Sequence, residues 1–333
     1  MKSVLLLILT LSVVCVACRS EPPETASRLP NASDETPTIS SVTPQGPSEL
    51  TPPVQTDADA EADTAFKLNL LSWNVESEGA DPTVIAQQLT SFSNYDVMGL
   101  TEVLPAASDS FRKSAGENFQ SITSRSGRND RMMLIYNPEM LELVRKFEIR
   151  KINFQDRYRS PLVGHFRHLG SQQEFIVMVN HLARGKESIR QTQAKQLVEW
   201  ARNETLPIIA LGDYNFDYVF DTEKGNEAFR LFQKDGIWKW VQPVQWVDTN
   251  WYDDPAAPDG EDDYPGSMLD FAFVANGAKD WQTRCEIIVR DGDFPDDEKT
   301  SDHRPYQLSV SACLLYTSPS PRDQRGSRMP SSA

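Results

Sequence analysis

The chain has 333 residues, of which 39% are hydrophobic and 24% are charged, so it can bury at least one large core as a soluble globular protein. Its formal net charge is −15, which repels phosphate backbones and anionic membranes unless local basic groups or bound cations offset it. This charge counts against a tight nucleic-acid binder, and it leaves open an enzyme that meets its substrate transiently.

Residues 1–18, "MKSVLLLILTLSVVCVAC", form a predicted export signal. A lysine precedes an apolar run from Val4 to Ala17, which is too short to span a bilayer comfortably. "CVAC" resembles a bacterial lipobox with Cys15 in place of the usual leucine, so we expect Cys18 to be lipidated and the protein to be membrane-anchored, in the periplasm or at the cell surface. An ordinary cleaved signal peptide is the alternative, and it would make the protein secreted.

Two further segments are predicted to lie outside the fold. Residues 19–65 are rich in Pro, Ser, Thr and acids, and we expect a disordered polar linker because they hold almost no large apolar groups. Residues 313–333 begin with "CLLYTSPSPRD", which resembles a translated sequencing adapter; a natural Ser/Pro-rich tail is the alternative. With Cys15 and Cys18 in the signal and Cys313 in the tail, Cys285 has no partner for an intramolecular disulfide.

The folded part is predicted to cover residues 66–312. "FKLNLLSWNV" and "YDVMGLTEV" indicate strands, and "DPTVIAQQLTSF" between them indicates a helix that begins at Asp-Pro. "RMMLIYNP", "EFIVMVNHL" and "LPIIALGDYN" indicate buried strands, and "SIRQTQAKQLVEWARNE" indicates an amphipathic helix with Ile189, Leu197, Val198 and Ala201 facing inward. "MLDFAFVAN" and "RPYQLSV" are the last predicted strands. Because several strands are consecutive, we predict an α+β fold with two stacked sheets.

Polar residues follow the apolar strands at the points where these strands stop. They are Asn74, Glu102, Asn180, His181, Asp213, Asn215 and Asp270, and Asp302 and His303 directly precede the last strand. Singly, each of these residues fits a turn or a satisfied core position. Because strand ends of one sheet can converge on one edge, the repeated pattern indicates a functional site there.

The motifs "SWNV", "TEV", "NHLARG", "LGDYN", "LDFAFV" and "TSDHRP" occur in this order, and together they resemble the endonuclease/exonuclease/phosphatase superfamily. The resemblance covers about Phe66 to Ala312. It implies a four-layer α/β/β/α sandwich, in which two mixed β-sheets pack face to face with helices outside. It also implies hydrolysis of phosphate esters that depends on Mg²⁺ or Mn²⁺.

The resemblance also implies roles for individual residues. Glu102 would be the main metal ligand, with Asn74 and Asp302 near the ion, since hard cations prefer oxygen ligands. His303, oriented by Asp270, would be the base that activates water. Asp213 would share in binding water or metal.

Further roles concern the phosphoryl group. His181 would stabilise the transition state or protonate the leaving group, and Asn215 would donate a hydrogen bond to a phosphoryl oxygen. "NDRMMLIYNP" resembles the family segment whose acidic residue orients this histidine, which points to Asp130. "RYRSPLVGHF" resembles the Arg-x-Pro segment and makes Arg159 a predicted phosphate contact, whereas His165 and His168 match no motif and are read as structural or exposed.

Two substrate classes remain open at this stage. One is nucleic acid, cut by an extracytoplasmic nuclease; the other is a lipid headgroup or small phosphate ester, cut by a membrane-tethered phosphodiesterase or phosphatase. The loop Trp246–Asp263 carries aromatics that would stack bases or line a headgroup pocket, namely Trp246, Trp251 and Tyr252, but its carboxylates would repel a DNA backbone. The sequence has no EF-hand spacing, which would have indicated a calcium-binding loop. A structural Ca²⁺ ion bound without that motif remains an open alternative. Nothing in the sequence implies a protein partner.

Overall fold

The computed structural model describes residues 66–312, apart from residues 93, 255, 257–258, 260–261, 265, 292 and 294–298. The predicted signal (1–18), linker (19–65) and adapter tail (313–333) lie outside the described residues. In the described part of the chain, Cys285 is buried and carries a free thiol. None of the helices in that part has the length and apolar character that a membrane span requires.

Twelve β-strands and four α-helices occur among the described residues. The strands are β1 (Phe66–Asn74), β2 (Val97–Val103), β3 (Gln120–Thr123), β4 (Arg131–Tyr136), β5 (Leu141–Glu148), β6 (Leu162–His168), β7 (Glu174–His181), β8 (Ile208–Val219), β9 (Trp238–Trp240), β10 (Ser267–Ala275), β11 (Gln282–Ile287) and β12 (Tyr306–Ala312). The helices are α1 (Pro82–Leu89), α2 (Ser108–Ala115), α3 (Glu187–Arg202) and α4 (Glu227–Gln233).

The described strands form two six-stranded mixed sheets. The first has the order β11-β12-β1-β2-β4-β3, and the second has the order β5-β6-β7-β8-β10-β9. Strands β1 and β2 are parallel, as are β7 and β8, and the other neighbours are antiparallel. In each sheet the parallel pair lies near the centre, so the carboxyl ends of these four strands mark one edge of each sheet.

Alternation of side chains along the strands builds the core between the sheets. Leu68 and Leu70 of β1 pack in one cluster with Val177 and Val179 of β7. The period of two along a strand sends alternate side chains to the opposite face of the sheet. The sheets approach so closely at Gly99 that a Cβ added there would lie 2.9 Å from Val179 Cγ2.

The helices cover the outer faces of both sheets. Helices α1 and α2 pack through Leu89 and Phe111 on the first sheet, and α3 and α4 pack through Leu197 and Phe232 on the second. The result is an α/β/β/α sandwich with a core between each pair of layers. The predicted four-layer α+β fold is therefore confirmed.

The two predicted helices are present, with one difference in the buried face of α3. Asp81 caps α1 by accepting a hydrogen bond from the Thr83 amide, as its Asp-Pro start indicates. In α3, Ile189 is only partly buried, whereas Arg190 and Gln193 are buried. These two polar side chains bind the backbone of residues 183–184, so the inward face of α3 holds the loop that follows β7.

Candidate active site

The predicted polar residues meet where the two sheets adjoin. Asn74 and His181 end β1 and β7, but the strand predicted to end at Asp213 continues as β8 to Val219, so Asp213 lies within it. In the second sheet, Asp213 of β8 pairs in register with His181 of β7 on one side and with Asp270 of β10 on the other. In the first sheet, Asn74 ends β1 beside the segment of β2 that carries Glu102. The Asn74 amide joins the sheets, because its Nδ2 donates to Glu102 Oε1 at 3.0 Å and to Asp213 Oδ2 at 3.3 Å.

Glu102 points into this junction because β2 is irregular there. The register of β2 against β4 shifts between Leu100 and Val103, and Glu102 has a φ of 57°. A bulge inserts an unpaired residue that redirects a side chain, and bulges are common beside active sites. A left-handed backbone at a non-glycine residue costs about 1–2 kcal/mol, so the rest of the fold must hold this conformation in place.

Glu102, His181 and Asp213 are the group that could hold a metal ion in the described part of the chain, with one ligand atom of each lying within 4.8 Å of the others. His181 Nε2 lies 3.7 Å from Glu102 Oε1 and 3.4 Å from Asp213 Oδ2. Burial raises the pKa of Asp213 above its ordinary value, and it outweighs the nearby His181, which acts to lower this pKa. A carboxylate buried at this cost fits a cation site, because a bound cation would favour its charged form.

This group overlaps the predicted metal ligands only in part. Glu102 belongs to both sets, Asp213 was predicted to share in binding water or metal, and Asn74 contacts both of them through its amide. Asp302 lies on the other side of the site, where its Oδ1 is 3.8 Å from His303 Nε2 and its backbone amide donates to Glu76 Oε2. Two of the three members of the group, Glu102 and Asp213, offer carboxylate oxygens, which fits a hard divalent cation.

His303 and Asp270 form a buried pair at the same edge. His303 Nδ1 lies 2.7 Å from Asp270 Oδ2, and both side chains are at most 3% exposed. Burial would lower the pKa of His303, but the carboxylates of Asp270 and Asp302 outweigh it and hold this pKa well above its ordinary value. The contact to Asp270 engages Nδ1 and leaves the other ring nitrogen, Nε2, on the side of Asp302, whose Oδ1 lies 3.8 Å away.

His181 is held by a chain of charged groups that is only partly buried, since Asp130 and Arg159 are 25% and 18% exposed. Its Nδ1 lies 3.2 Å from Asp130 Oδ1, and Asp130 Oδ2 accepts from Arg159 Nη1 at 2.8 Å. Burial raises the pKa of Asp130, but His181 and Arg159 outweigh that effect and lower it below its usual value. The structure thus places Asp130 in contact with His181. Arg159 pairs with Asp130 and also donates to the Leu182 carbonyl.

Asn215 lies beside Asp213, but its side-chain amide donates to a backbone carbonyl of the protein. Its backbone amide donates to Asp213 Oδ1 at 2.8 Å, and its Nδ2 donates to the Leu182 carbonyl at 3.2 Å. Phosphate contacts by Asn215 and Arg159 remain predictions.

Three positioning residues escaped the sequence reasoning. Ser301 Oγ donates to the Asn74 carbonyl at 2.6 Å and accepts from the His303 amide, which ties the histidine to the end of β1. Thr249 Oγ1 accepts from the amides of Leu269 and Asp270. Ser301 lies in the motif "TSDHRP" and Glu76 directly follows "SWNV", so both had an available signal, whereas Thr249 lies in the loop Trp246–Asp263 outside every motif.

The loop Trp246–Asp263 borders the site on the His303 side. The Trp251 amide donates to the Asp302 carbonyl, and Asn250 bridges to His303. Of the three aromatics on this loop, Trp251 is buried at 8% exposure and offers little face for stacking, whereas Trp246 and Tyr252 are 37% and 42% exposed. His165 and His168 are structural, as expected: His165 pairs with Glu174, and His168 packs on Phe66.

A family model described as "Endonuclease/Exonuclease/phosphatase family" matches residues 71–303, which contain the whole site. The chain belongs to this family. An endonuclease/exonuclease/phosphatase family protein from Bacteroides thetaiotaomicron is similar in structure, with 18% identity, coverage of 75% of this chain and 96% of that chain, and a TM-score of 0.57.

Two other solved structures share the fold of this family. The mannosyl-6-phosphatase of Bacteroides thetaiotaomicron is 18% identical over 73% of this chain and 99% of its own, with a TM-score of 0.55. TDP2 of D. rerio, solved with a single-strand DNA product, is 18% identical over 73% of this chain and 98% of its own, with a TM-score of 0.57. A search of curated protein sequences found no match. Family membership supports hydrolysis of a phosphate ester, and these likenesses establish the fold alone.

Proposed function

We propose that this protein hydrolyses phosphodiester bonds with the help of Mg²⁺ or Mn²⁺, and that it acts as an extracytoplasmic nuclease. The observation that carries the proposal is the meeting of the Glu102–His181–Asp213 group with the buried Asp270–His303 pair at one edge of the sandwich. Such a site combines a cation-binding group with a histidine base oriented by a carboxylate. Export rests on the N-terminal sequence, where residues 1–18 resemble a lipoprotein signal.

In the proposed reaction, each of the two histidines transfers a proton through its Nε2. His303 Nε2 accepts a proton from the attacking water while Asp270 holds Nδ1 and stabilises the imidazolium that forms. The water oxygen bonds to phosphorus as the bond from phosphorus to the leaving oxygen breaks. His181, held by Asp130, donates from Nε2 to the phosphoryl group or to the leaving oxygen.

Glu102 and Asp213 would hold the divalent cation, with Asn74 and Asp302 near it, and His181 would keep its Nε2 proton for the phosphoryl group instead of binding the ion. When bound, such an ion supplies positive charge that offsets the developing negative charge on the phosphoryl oxygens. In the protein itself, Asn74 keeps Glu102 and Asp213 together across the two sheets. This contact sets the spacing of the carboxylates before any substrate arrives.

A tethered phosphodiesterase or phosphatase is the second candidate. The carboxylates of residues 248–263 favour it, because they lie on the loop that borders His303 and would repel a long polyanion on that side. Lipid headgroups or small phosphate esters would avoid this repulsion. A lipid anchor at Cys18 would also bring the site to a membrane surface.

A substrate panel distinguishes the two candidates. The full chain is assayed with Mg²⁺ or Mn²⁺, and with a chelator, on plasmid DNA, single-stranded RNA, phospholipid vesicles and bis(p-nitrophenyl) phosphate. We expect cation-dependent cleavage of the nucleic acids and of the small ester. Turnover of vesicles or small esters with both nucleic acids intact would replace the nuclease by the second candidate.

A further inference from the structure

A basic surface adjoins the His181 side of the site, although the chain as a whole carries a net charge of −15. Three adjoining cavities of about 350, 460 and 360 Å³ run along it. Their lining includes Lys146 and six arginines against only three carboxylates. The arginines and carboxylates are Arg125, Arg128, Arg131, Arg150, Arg157, Arg159, Asp130, Glu148 and Asp156.

The first cavity begins at the site itself. Asp130 and Arg159 line it, and Asp130 contacts His181. The next cavity shares Arg128 with the first, and the third shares Arg150 with the second. The positive groups therefore form one continuous path that leads away from His181.

Most of these arginines are available to a ligand. In the described part of the chain, no carboxylate lies within ion-pair distance of Arg125, Arg128, Arg131, Arg150 or Arg157, which we call the arginine surface. All five except Arg131 are exposed. Arginine presents a planar fork of donors that matches phosphate, so this surface suits phosphate groups.

The backbone beneath the arginine surface is fixed by the neighbouring carboxylate. Glu148 accepts hydrogen bonds from the amides of Arg125 and Ser126 and from Ser126 Oγ. The Ser160 amide donates to Ser126 Oγ and joins the second loop to the first. Glu148 is thus hydrogen-bonded to the loop that it supports, and Arg150 acts on it through its charge without forming an ion pair, so the guanidinium groups keep their donors for a partner.

We propose that the arginine surface binds the phosphates of a single nucleic-acid strand that extends from the scissile bond on the His181 side. The inference rests on the nuclease function proposed above. A line of positive cavities matches a linear polyanion, whereas the loop on the His303 side is rich in carboxylates. The strand is therefore held on one side of the site only.

The test compares two substrates that share the reaction but differ in length. The full-length triple variant R125Q/R128Q/R150Q is assayed with Mg²⁺ on a single-stranded DNA oligonucleotide and on bis(p-nitrophenyl) phosphate. The matched control is K67Q/K239Q/R284Q, which removes the same charge from exposed residues, two of them on β9 and β11 at the opposite edges of the sheets. The two variants thus differ in the place of the lost charge.

We expect the triple variant to lose about tenfold or more in kcat/KM on the oligonucleotide through a higher KM, and the slope of log(kcat/KM) against log salt to become shallower by about 2. Its rate on the small ester should match that of the wild-type chain, which also shows that the variant is folded. The control variant should keep the wild-type rate on both substrates.

Three outcomes would overturn the inference. One is an unchanged oligonucleotide KM in the triple variant; another is an equal loss in the control variant, which would show a general charge effect. The third is a triple variant that loses binding to anionic phospholipid vesicles but not oligonucleotide cleavage, which would assign the surface to a membrane. Failure of the wild-type chain on both substrates would instead refute the proposed function, so the two failures are distinguishable.

Discussion

His303 is subject to two opposing influences on its pKa. Burial disfavours the imidazolium and lowers this pKa, whereas the carboxylates of Asp270 and Asp302 favour the imidazolium and raise it by more. A base must be neutral before it accepts a proton, so the rate should rise with pH through this raised pKa. The ascending limb of the profile should therefore lie above the ordinary histidine range.

Asp270→Asn tests this balance. The substitution removes the main charge that raises the pKa of His303, so the ascending limb of kcat/KM against pH should move to lower pH. The maximal rate should fall by about 10²-fold to 10⁴-fold, because the imidazolium loses its partner. The profile is measured on bis(p-nitrophenyl) phosphate, and a limb that stays in place would show that His303 is not the titrating base.

At the scale of single strands, the site depends on the close approach of β7 and β8. Gly212 has a φ of +126°, and a Cβ added there would lie 2.0 Å from the Asn180 carbonyl oxygen. Its amide donates to Tyr306 Oη, which ties β8 to the first sheet immediately before Asp213. The motif "LGDYN" thus contains a glycine that the backbone requires.

Gly212→Ala should lower the free energy of unfolding by about 2–4 kcal/mol through backbone strain and crowding. Denaturant unfolding followed by fluorescence measures the change. Gly185→Ala is the matched control, because an added Cβ there meets no atom within 4 Å, and it should change stability by less than about 0.5 kcal/mol. Equal effects of the two substitutions would contradict this account of β8.

The elements show what sequence could and could not predict. The apolar runs ending in Asn74 and His181 predicted strands and their polar ends, because the pattern along a strand is local, whereas the strand predicted to end at Asp213 continues to Val219. The buried face of α3 was predicted less well, since Arg190 is buried by hydrogen bonds to the carbonyls of Ala183 and Arg184, which lie outside the helix. Apolar periodicity carries no sign of such contacts.

The same limit applies to the site. Asp270 and His303 were predicted as a pair by resemblance to a family, and they are 2.7 Å apart in the structure. Support from Thr249 and Glu76 was not predicted, because a polar loop residue reveals its partner only after the chain has folded. The arginine surface also depends on two segments, residues 125–131 and 150–157, that are separated in sequence.

At the scale of the whole molecule, the distribution of charge differs from its sum. The net charge of −15 predicts repulsion of polyanions, yet the described chain surrounds its site unevenly, with arginines on the His181 side and carboxylates on the loop beside His303. Steering of a charged substrate depends on the local field near a cleft. The net charge alone is therefore a poor guide to whether a polyanion can approach one side of the site.

The central claim is that one site, formed by both sheets, hydrolyses a phosphodiester with a divalent cation. The most direct measurement is the rate of bis(p-nitrophenyl) phosphate hydrolysis, with Mg²⁺ and with a chelator, by the wild-type chain, His303→Asn, Glu102→Gln and the control His165→Gln on β6. We predict cation-dependent turnover that falls by about 10²-fold or more in the first two variants and is kept in the control. Turnover that survives the chelator and both site substitutions would contradict the account.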